Sequence, residues 1–174
     1  MNGVDRESQF EEVVMPHLDA AYNLARWLAG DDHDAEDIVQ DACVRAFRFV
    51  NGFRGGNSRS WLLTIVRNTA YTWLKQNRPQ AIISVSENEL AEIEDQSVSH
   101  EVTHHQADSA ILRAALEQLP SEFREALVLR ELEGFSYKEI ADVTDAPIGT
   151  VMSRIARGRK QLQDYLNTKE KNEL

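Results

Sequence analysis

The sequence predicts an all-α protein in which two small helical bundles are joined by a flexible acidic linker. Apolar residues recur at spacings of three and four over most of the 174 residues, which is the pattern of amphipathic helices. Only four prolines and eight glycines are present to interrupt these runs. The periodicity is lost between residues 79 and 106, where the chain is acidic and rich in serine, as linkers commonly are. We therefore expect a first bundle over residues 1–78, a linker over 79–106 and a second bundle over 107–174.

The composition narrows the class of protein further. No apolar run approaches the ~20 residues needed to cross a bilayer, and the N-terminal residues do not have the pattern of a signal peptide. Cys43 is the only cysteine, so a disulfide framework and a thiolate metal cluster are both excluded. We expect a cytoplasmic protein that is not inserted in a membrane and that has no cofactor.

The net charge of −10 is distributed unevenly. Eleven acidic residues and two arginines lie in residues 1–41, whereas residues 42–86 contain seven basic residues and no acid. Acids return over residues 87–108 without a lysine or an arginine. Such segregation suits a chain with one surface for a basic partner and another for a polyanion. The acidic total also predicts weak unaided affinity for DNA, because that affinity grows with the number of phosphates neutralised.

Two helices are predicted before residue 51. Apolar residues at helical spacing indicate one amphipathic helix over residues 9–29, in which Pro16 is expected to cause either a kink or a break. A second helix, over residues 35–50, follows a cluster of aspartates that can cap it. Its polar face carries Asp37, Gln40 and Asp41. The helix dipole stabilises acids in the first turn of a helix. This effect accounts for Asp37 more easily than for Asp41.

A glycine-rich loop precedes a third helix, predicted over residues 59–76 and capped by Ser58. This helix carries two tryptophans, and arginines lie in both the loop and the helix. Aromatic rings interleaved with arginine suit a single-stranded nucleic acid, because bases stack on rings while cations follow the phosphates. The alternative is that the tryptophans fill a small core. We expect Trp61 in the core and the basic residues Arg54 and Arg59 at the nucleic acid.

One short motif points to a different chemistry. His100, Glu101 and His104 match the HExxH pattern of zinc proteases. That pattern needs a stable helix in a cleft and a third ligand, whereas here it lies in a polar stretch of the linker. We expect no metal, and the competing hypothesis of a zinc hydrolase predicts stoichiometric bound zinc.

A helix-turn-helix is predicted in the second bundle, after a helix over residues 107–118 and another from Pro120 to Gly134. A capping box of Ser136 and Glu139 opens a short helix. The chain then turns, because Pro147 cannot donate a hydrogen bond and the following Gly149 tolerates a positive φ. Thr150 is expected to cap the last helix. Two helices joined in this way are typical of proteins that place the second helix in the major groove of DNA.

The last helix carries the chemistry of this bundle. Its charged residues between residues 151 and 163 are all basic, namely Arg154, Arg157, Arg159 and Lys160. Arg157 is the better candidate for a base edge or an adjacent phosphate, and Lys160 is a candidate for a phosphate. The N-terminus of the helix can hold a further phosphate. The alternative is a solvated basic face on an ordinary helical hairpin. Cap, turn and charge together favour DNA binding.

Taken in order, these segments resemble the extracytoplasmic-function (ECF) sigma factors of bacterial RNA polymerase. Residues 34–47, DAEDIVQDACVRAF, are similar to the segment with which that family binds the polymerase. Residues 53–68, FRGGNSRSWLLTIVRN, resemble its promoter-melting segment. Residues 119–141 and 149–162 resemble its reader of the upstream promoter element.

The resemblance assigns roles to individual residues. Docking on core RNA polymerase would use Asp37, Gln40 and Asp41. The non-template single strand of the minus-ten promoter element would be held by Phe49, Phe53, Arg54, Arg59, Ile65 and Asn68. The duplex of the minus-thirty-five element would be contacted by Arg130, Thr150, Met152, Ser153, Arg154, Arg157 and Lys160. The resemblance also implies an anti-sigma factor as a partner.

Two hypotheses about function compete beside the zinc hydrolase. The first is a promoter-specificity subunit of the polymerase, with no active site of its own. The second is a stand-alone helix-turn-helix regulator that binds duplex DNA unaided. Such a regulator usually forms a dimer, yet the sequence shows no heptad run, and the aromatic and basic first bundle would have no role. Binding to core polymerase separates the two hypotheses.

Overall fold

The computed structural model describes residues 3–83 and 109–172. These residues contain helices and no strand, so the predicted all-α class is confirmed. The helices are α1 (Gly3–Val13), α2 (Leu18–Ala29), α3 (Asp32–Phe49), α4 (Ser58–Asn77), α5 (Ser109–Gln118), α6 (Ser121–Leu127), α7 (Tyr137–Thr144) and α8 (Ile148–Asn172). Most of the predicted linker, together with the whole HExxH motif, lies outside the described residues.

The first bundle is formed by α1 to α4. Helices α2, α3 and α4 pack against one another around leucine, isoleucine, valine and alanine side chains, and α1 contacts α3. Residues 9–29 do not form a single helix but break at Pro16, one of the two outcomes predicted for this proline, because it lacks the N–H that would continue the hydrogen bonds of α1. The chain instead passes through a short 3-10 turn, Met15–His17, before α2 begins.

Side-chain caps decide where α3 and α4 begin. The Asp31 carboxylate accepts from the backbone N–H of Asp34 at 3.0 Å, so the aspartate cluster does supply the cap. Helix α3 begins at Asp32, three residues before the predicted start. The prediction that Ser58 caps α4 is wrong, because Ser58 already lies in the first helical turn. Asn57 is the cap, and its side-chain oxygen accepts from the N–H of Ser60 at 3.0 Å.

The second bundle is formed by α5 to α8. Helix α6 continues without a break into a π-helical turn, Val128–Leu132. The predicted end at Gly134 is confirmed, since this glycine has a φ of 69°, which few other residues adopt. Pro120 lies just before α6 rather than at its first helical position.

Helices α7 and α8 form the predicted helix-turn-helix, with a different turn. The capping box is present, because the Ser136 hydroxyl accepts from the N–H of Glu139 while the Glu139 carboxylate accepts from the N–H of Ser136. The left-handed residue of the turn is Asp145, with a φ of 51°, and Gly149 is already helical. Thr150 therefore lies inside the first turn of α8, and the prediction that it caps this helix is wrong.

The two bundles pack directly against each other. Helix α4 lies against α7, α2 contacts α6, and the buried apolar residues of both bundles form one continuous cluster. Arg124 is only 4% exposed, and it donates to the Leu119 carbonyl at 2.9 Å and, across the junction, to the Trp27 carbonyl at 3.1 Å. Ile83 exchanges two hydrogen bonds with Ser121, so the chain that leaves the first bundle is tied to the start of α6.

Candidate functional site

An acidic face runs along α3. Asp37 and Gln40 are exposed, and the Asp41 side chain is 44% exposed. Asp41 pairs with Arg45 one turn later at 3.3 Å, a surface ion pair of the kind that adds little stability. Val44 is exposed beside them. Residues three and four apart share a helix face, so α3 presents two carboxylates, an amide and an apolar side chain to a partner.

The end of α3 and the following loop expose aromatic and basic side chains. Phe49 is 65% exposed. Phe53 is half-buried and packs against Trp61, which also packs against the core as predicted, with ring centroids 5.5 Å apart. Arg54 is exposed, and the two glycines after it have φ of 90° and 94°, a conformation that L side chains rarely adopt. The loop therefore offers rings and a cation, the combination that single-stranded nucleic acids favour.

The residues of α4 that are predicted to bind a single strand do not all lie on the same side of the helix. Asn68 is exposed, and its side-chain oxygen accepts from Arg67 at 3.3 Å, while Ile65 is half-buried. Arg59 instead reaches the second bundle, where its guanidinium carbon lies 4.3 Å from the centre of the Phe135 ring. A cation is attracted to the face of an aromatic ring, so Arg59 is engaged within the chain.

A buried ion pair joins the two bundles. Arg67 of α4 donates to both carboxylate oxygens of Glu125 in α6, at 3.1 and 3.2 Å. The Glu125 side chain has no solvent exposure, and that of Arg67 is 20% exposed. Burial raises the pKa of the Glu125 carboxyl, and the bound guanidinium of Arg67 opposes that rise. Removal of one partner from such a buried, bidentate ion pair is strongly destabilising, because the other charge stays buried without a counter-charge.

The same junction has further polar contacts that the sequence analysis missed. Asn57, the cap of α4, donates to Glu139 of the α7 capping box at 2.8 Å. The contacts of Arg67, Arg124 and Glu125 were not predicted either. One signal in the sequence points to Arg124 and Glu125, since these two charged residues lie between Phe123 and the apolar run of residues 126–129.

The outward face of α8 carries polar residues predicted to reach DNA. Val151 and Ile155 are buried against the rest of the second bundle. Successive residues of an α-helix are about 100° apart, so Ser153 and Lys160 lie on the side of α8 opposite to this core. Arg157 lies next to them and is half-exposed. Helix α8 therefore presents a guanidinium and an ammonium group on one outward side, beside the Ser153 hydroxyl, which donates to the Gly149 carbonyl at 2.9 Å.

Two other arginines predicted to bind DNA are placed differently. Arg130 donates to the Phe135 carbonyl at 2.8 Å, and its guanidinium carbon lies 4.6 Å from the centre of the Tyr137 ring. Arg154 is half-buried and near enough to Glu125 for its charge to lower the pKa of that carboxyl, after the larger influences of burial and Arg67. Arg130 is thus held within the second bundle, and Arg154 lies towards the buried pair.

Metal sites and membrane spans are not found in the described part of the chain. Residues 3–83 and 109–172 contain no group of histidine, cysteine and acidic side chains that could hold a metal ion. The same residues include no helix with the length and apolar character needed to cross a bilayer.

Two family models match the chain. The model of sigma-70 region 2 matches residues 13–80, within which α2, α3 and α4 lie. The model of sigma-70 region 4 matches residues 109–162, which contain α5, α6, α7 and the first part of α8. The two matches follow each other in the order of the two bundles.

Similar proteins agree with these matches. The ECF RNA polymerase sigma factor SigE of Mycolicibacterium smegmatis is 39% identical over 158 residues, which are 90% of this chain and 61% of that protein. This chain therefore spans less than two thirds of that relative's length. The ECF RNA polymerase sigma-E factor of Escherichia coli is 35% identical and covers 75% of this chain and 73% of its own length.

A similar solved structure is the sigma factor RpoE in complex with the anti-sigma factor NepR from Bartonella quintana. The two chains are 30% identical, and their structures superpose with a TM-score of 0.70. The superposition covers 91% of this chain and 96% of that one.

Proposed function

This chain belongs to the sigma-70 family of bacterial RNA polymerase sigma factors, among its extracytoplasmic-function members, and on that premise we propose how its parts work. It is an alternative sigma factor, which binds core RNA polymerase and directs it to promoters. One observation best supports this proposal. The first bundle carries an acidic face and a loop with aromatic and basic side chains, and the second bundle of the same chain carries a helix-turn-helix.

The proposal divides the chain into three parts. Residues 1–78 act as sigma region 2, which binds the polymerase and captures the melted minus-ten element. Residues 79–106 are a linker, and residues 107–174 act as region 4 on the minus-thirty-five duplex. The chain works by binding and is not an enzyme, and its place of action is the cytoplasm, where the polymerase works. An anti-sigma factor is a further proposed partner, since the similar RpoE structure holds one.

The packed arrangement of the bundles must open for this function. Elements at minus ten and minus thirty-five are about 25 base pairs apart, which is about 85 Å of B-form DNA. Here α4, which carries Ile65 and Asn68, lies directly against α7 of the helix-turn-helix. Both elements cannot be reached at once from this arrangement. We therefore propose that the structure represents a closed state and that promoter binding separates Arg67 from Glu125 and Arg59 from Phe135.

The exposed residues of region 2 give a first prediction. Phe49→Ala and Asn68→Ala should each weaken the binding of holoenzyme to a single-stranded minus-ten oligonucleotide. We expect about 1–3 kcal/mol for the loss of the Phe49 ring, the usual contribution of stacking one base. Because both side chains are exposed, affinity for core polymerase and thermal stability should be unchanged. Equal capture of the oligonucleotide by wild type and both variants would remove these residues from the site.

The outward face of α8 gives a second prediction. Arg157→Ala should cost about 1–3 kcal/mol on the cognate upstream element and less on scrambled DNA, as expected for a side chain that reads a base. Lys160→Ala should weaken binding to all sequences alike and lower the salt slope by about one unit, as expected for a phosphate contact. An equal loss on cognate and scrambled duplexes for Arg157→Ala would make Arg157 a phosphate contact as well.

The alternative function is a stand-alone regulator of duplex DNA. Gel filtration of the full chain with purified core polymerase separates the two proposals. A sigma factor co-elutes with the core enzyme, whereas a stand-alone regulator elutes alone and binds its duplex without the polymerase. The exposed carboxylates on α3 favour the first outcome, since they face outward and have no role in a free duplex binder.

A further inference from the structure

Helix α8, the second helix of the helix-turn-helix, has exposed apolar residues along one side of its first turns. Ile148 is 46% exposed and Met152 is 51% exposed, and Ala156 one turn later is exposed as well. The three residues are four apart, so they form one strip along the first two turns and into the third. We call Ile148, Met152 and Ala156 the apolar strip.

The strip is separate from the hydrophobic core and continuous with the polar DNA-reading face. Val151 and Ile155 fill the core beneath α8. At about 100° per residue, Ala156 lies within about 60° of Ser153 around the helix axis. The strip therefore borders the side from which Ser153 and Arg157 are proposed to read DNA.

The charge of the helix indicates the occupant of the strip. Between residues 151 and 163 helix α8 carries four basic residues and no acid. Arg159 pairs with Glu131 and Arg154 lies towards Glu125, whereas Arg157 and Lys160 lie outward and complement a polyanion. A helix in the major groove brings its N-terminal residues to the base edges. The one apolar group displayed there is the C5-methyl group of thymine.

We propose that the apolar strip reads thymine methyl groups in the upstream promoter element, with Met152 as the central contact and Ile148 and Ala156 beside it. This inference rests on the proposed sigma-factor function, and it adds a means of specificity. Hydrogen bonds from Arg157 read polar base edges, whereas the strip selects thymine over cytosine through a single methyl group.

The experiment replaces thymine by deoxyuridine, which removes only the methyl group and keeps every hydrogen-bonding group. Holoenzyme assembled from core polymerase and the full chain first selects its upstream element from a randomised duplex library. Each thymine of the selected element is then replaced singly, and affinity is measured for wild type and Met152→Ala. We expect wild type to lose about fourfold in affinity at one or two thymines, the change typical of one buried methylene-sized group.

The variants decide which residue carries the effect. Met152→Ala should bind the thymine and deoxyuridine promoters equally well, whereas Arg157→Ala should keep the difference between them. Met15→Ala is a matched control, because Met15 is also a methionine with 51% exposure and lies in the first bundle. It should behave as wild type.

The outcomes separate this inference from the proposed function. Equal affinity of wild type for thymine and deoxyuridine at every position would overturn the inference alone and make a protein partner the occupant of the strip. The same holds if Met152→Ala keeps the preference for thymine. Failure of the chain to assemble with core polymerase, with no element selected, would overturn both.

Discussion

Reversal of the charges of Asp37 and Asp41 to lysine should abolish the binding of this chain to core RNA polymerase. Both carboxylates lie on one exposed face of α3, within one helical turn of each other. A basic partner surface that attracts them would face two like charges in the variant, and such a juxtaposition costs several kcal/mol at an interface. Co-elution on gel filtration and a binding titration with labelled core enzyme measure the loss.

The fold should survive this double reversal. Surface substitutions usually change stability by no more than about half a kcal/mol, and the Asp41–Arg45 pair that is lost contributes little. Reversal of two other exposed acids, Glu11→Lys with Asp19→Lys, changes the net charge equally and should leave polymerase binding intact. Wild-type affinity in the Asp37/Asp41 variant, or an equal loss in this control, would show that α3 is not the docking face.

Removal of Arg67 should open the closed state. In Arg67→Met the Glu125 carboxylate stays fully buried without its partner unless the bundles separate. Loss of one partner of a buried ion pair costs about 3–5 kcal/mol, which would shift the balance between closed and open forms by about two to four orders of magnitude. A compact chain of this length has an expected radius of gyration of about 16 Å. Small-angle X-ray scattering of the free Arg67→Met chain should give a clearly larger value.

A second variant of the same pair should have the opposite effect. Arg67→Met combined with Glu125→Met replaces two charges by apolar groups of similar volume, a change that is often neutral or stabilising. The double variant should therefore stay compact. Holoenzyme that contains it should bind a promoter with both elements more weakly than holoenzyme that contains Arg67→Met, because only open molecules can reach both elements. If Arg67→Met scattered as wild type does and the two holoenzymes bound this promoter equally, the ion pair would not control opening.

The local structure was predictable wherever a single short-range signal decides it. The aspartate cluster predicted an aspartate cap for α3, and the Ser136–Glu139 capping box predicted the start of α7. Neighbouring signals that compete were harder to rank. Asn57 and Ser58 are both good caps, and the backbone geometry that selects Asn57 is not visible in the residue types.

The contacts between the bundles could not be predicted from the sequence. Arg67 and Glu125 are 58 positions apart, and no periodic pattern connects residues at that distance. Arg59 and Arg154 were predicted to bind nucleic acid because they are basic. The packing of α4 against α7 and of α6 against α8 decides where their side chains lie. The acidic face of α3 was predictable, because the spacing of Asp37, Gln40 and Asp41 along one predicted helix places them on the same face.

The most direct test of the account is transcription in vitro from a promoter library by core polymerase with and without this chain. We predict initiation at a defined set of promoters only when the chain is present, with a shared upstream element and a shared minus-ten element. The Asp37→Lys/Asp41→Lys variant should abolish that initiation. No new start sites with the chain present, together with tight binding of the free chain to duplex DNA, would contradict the account.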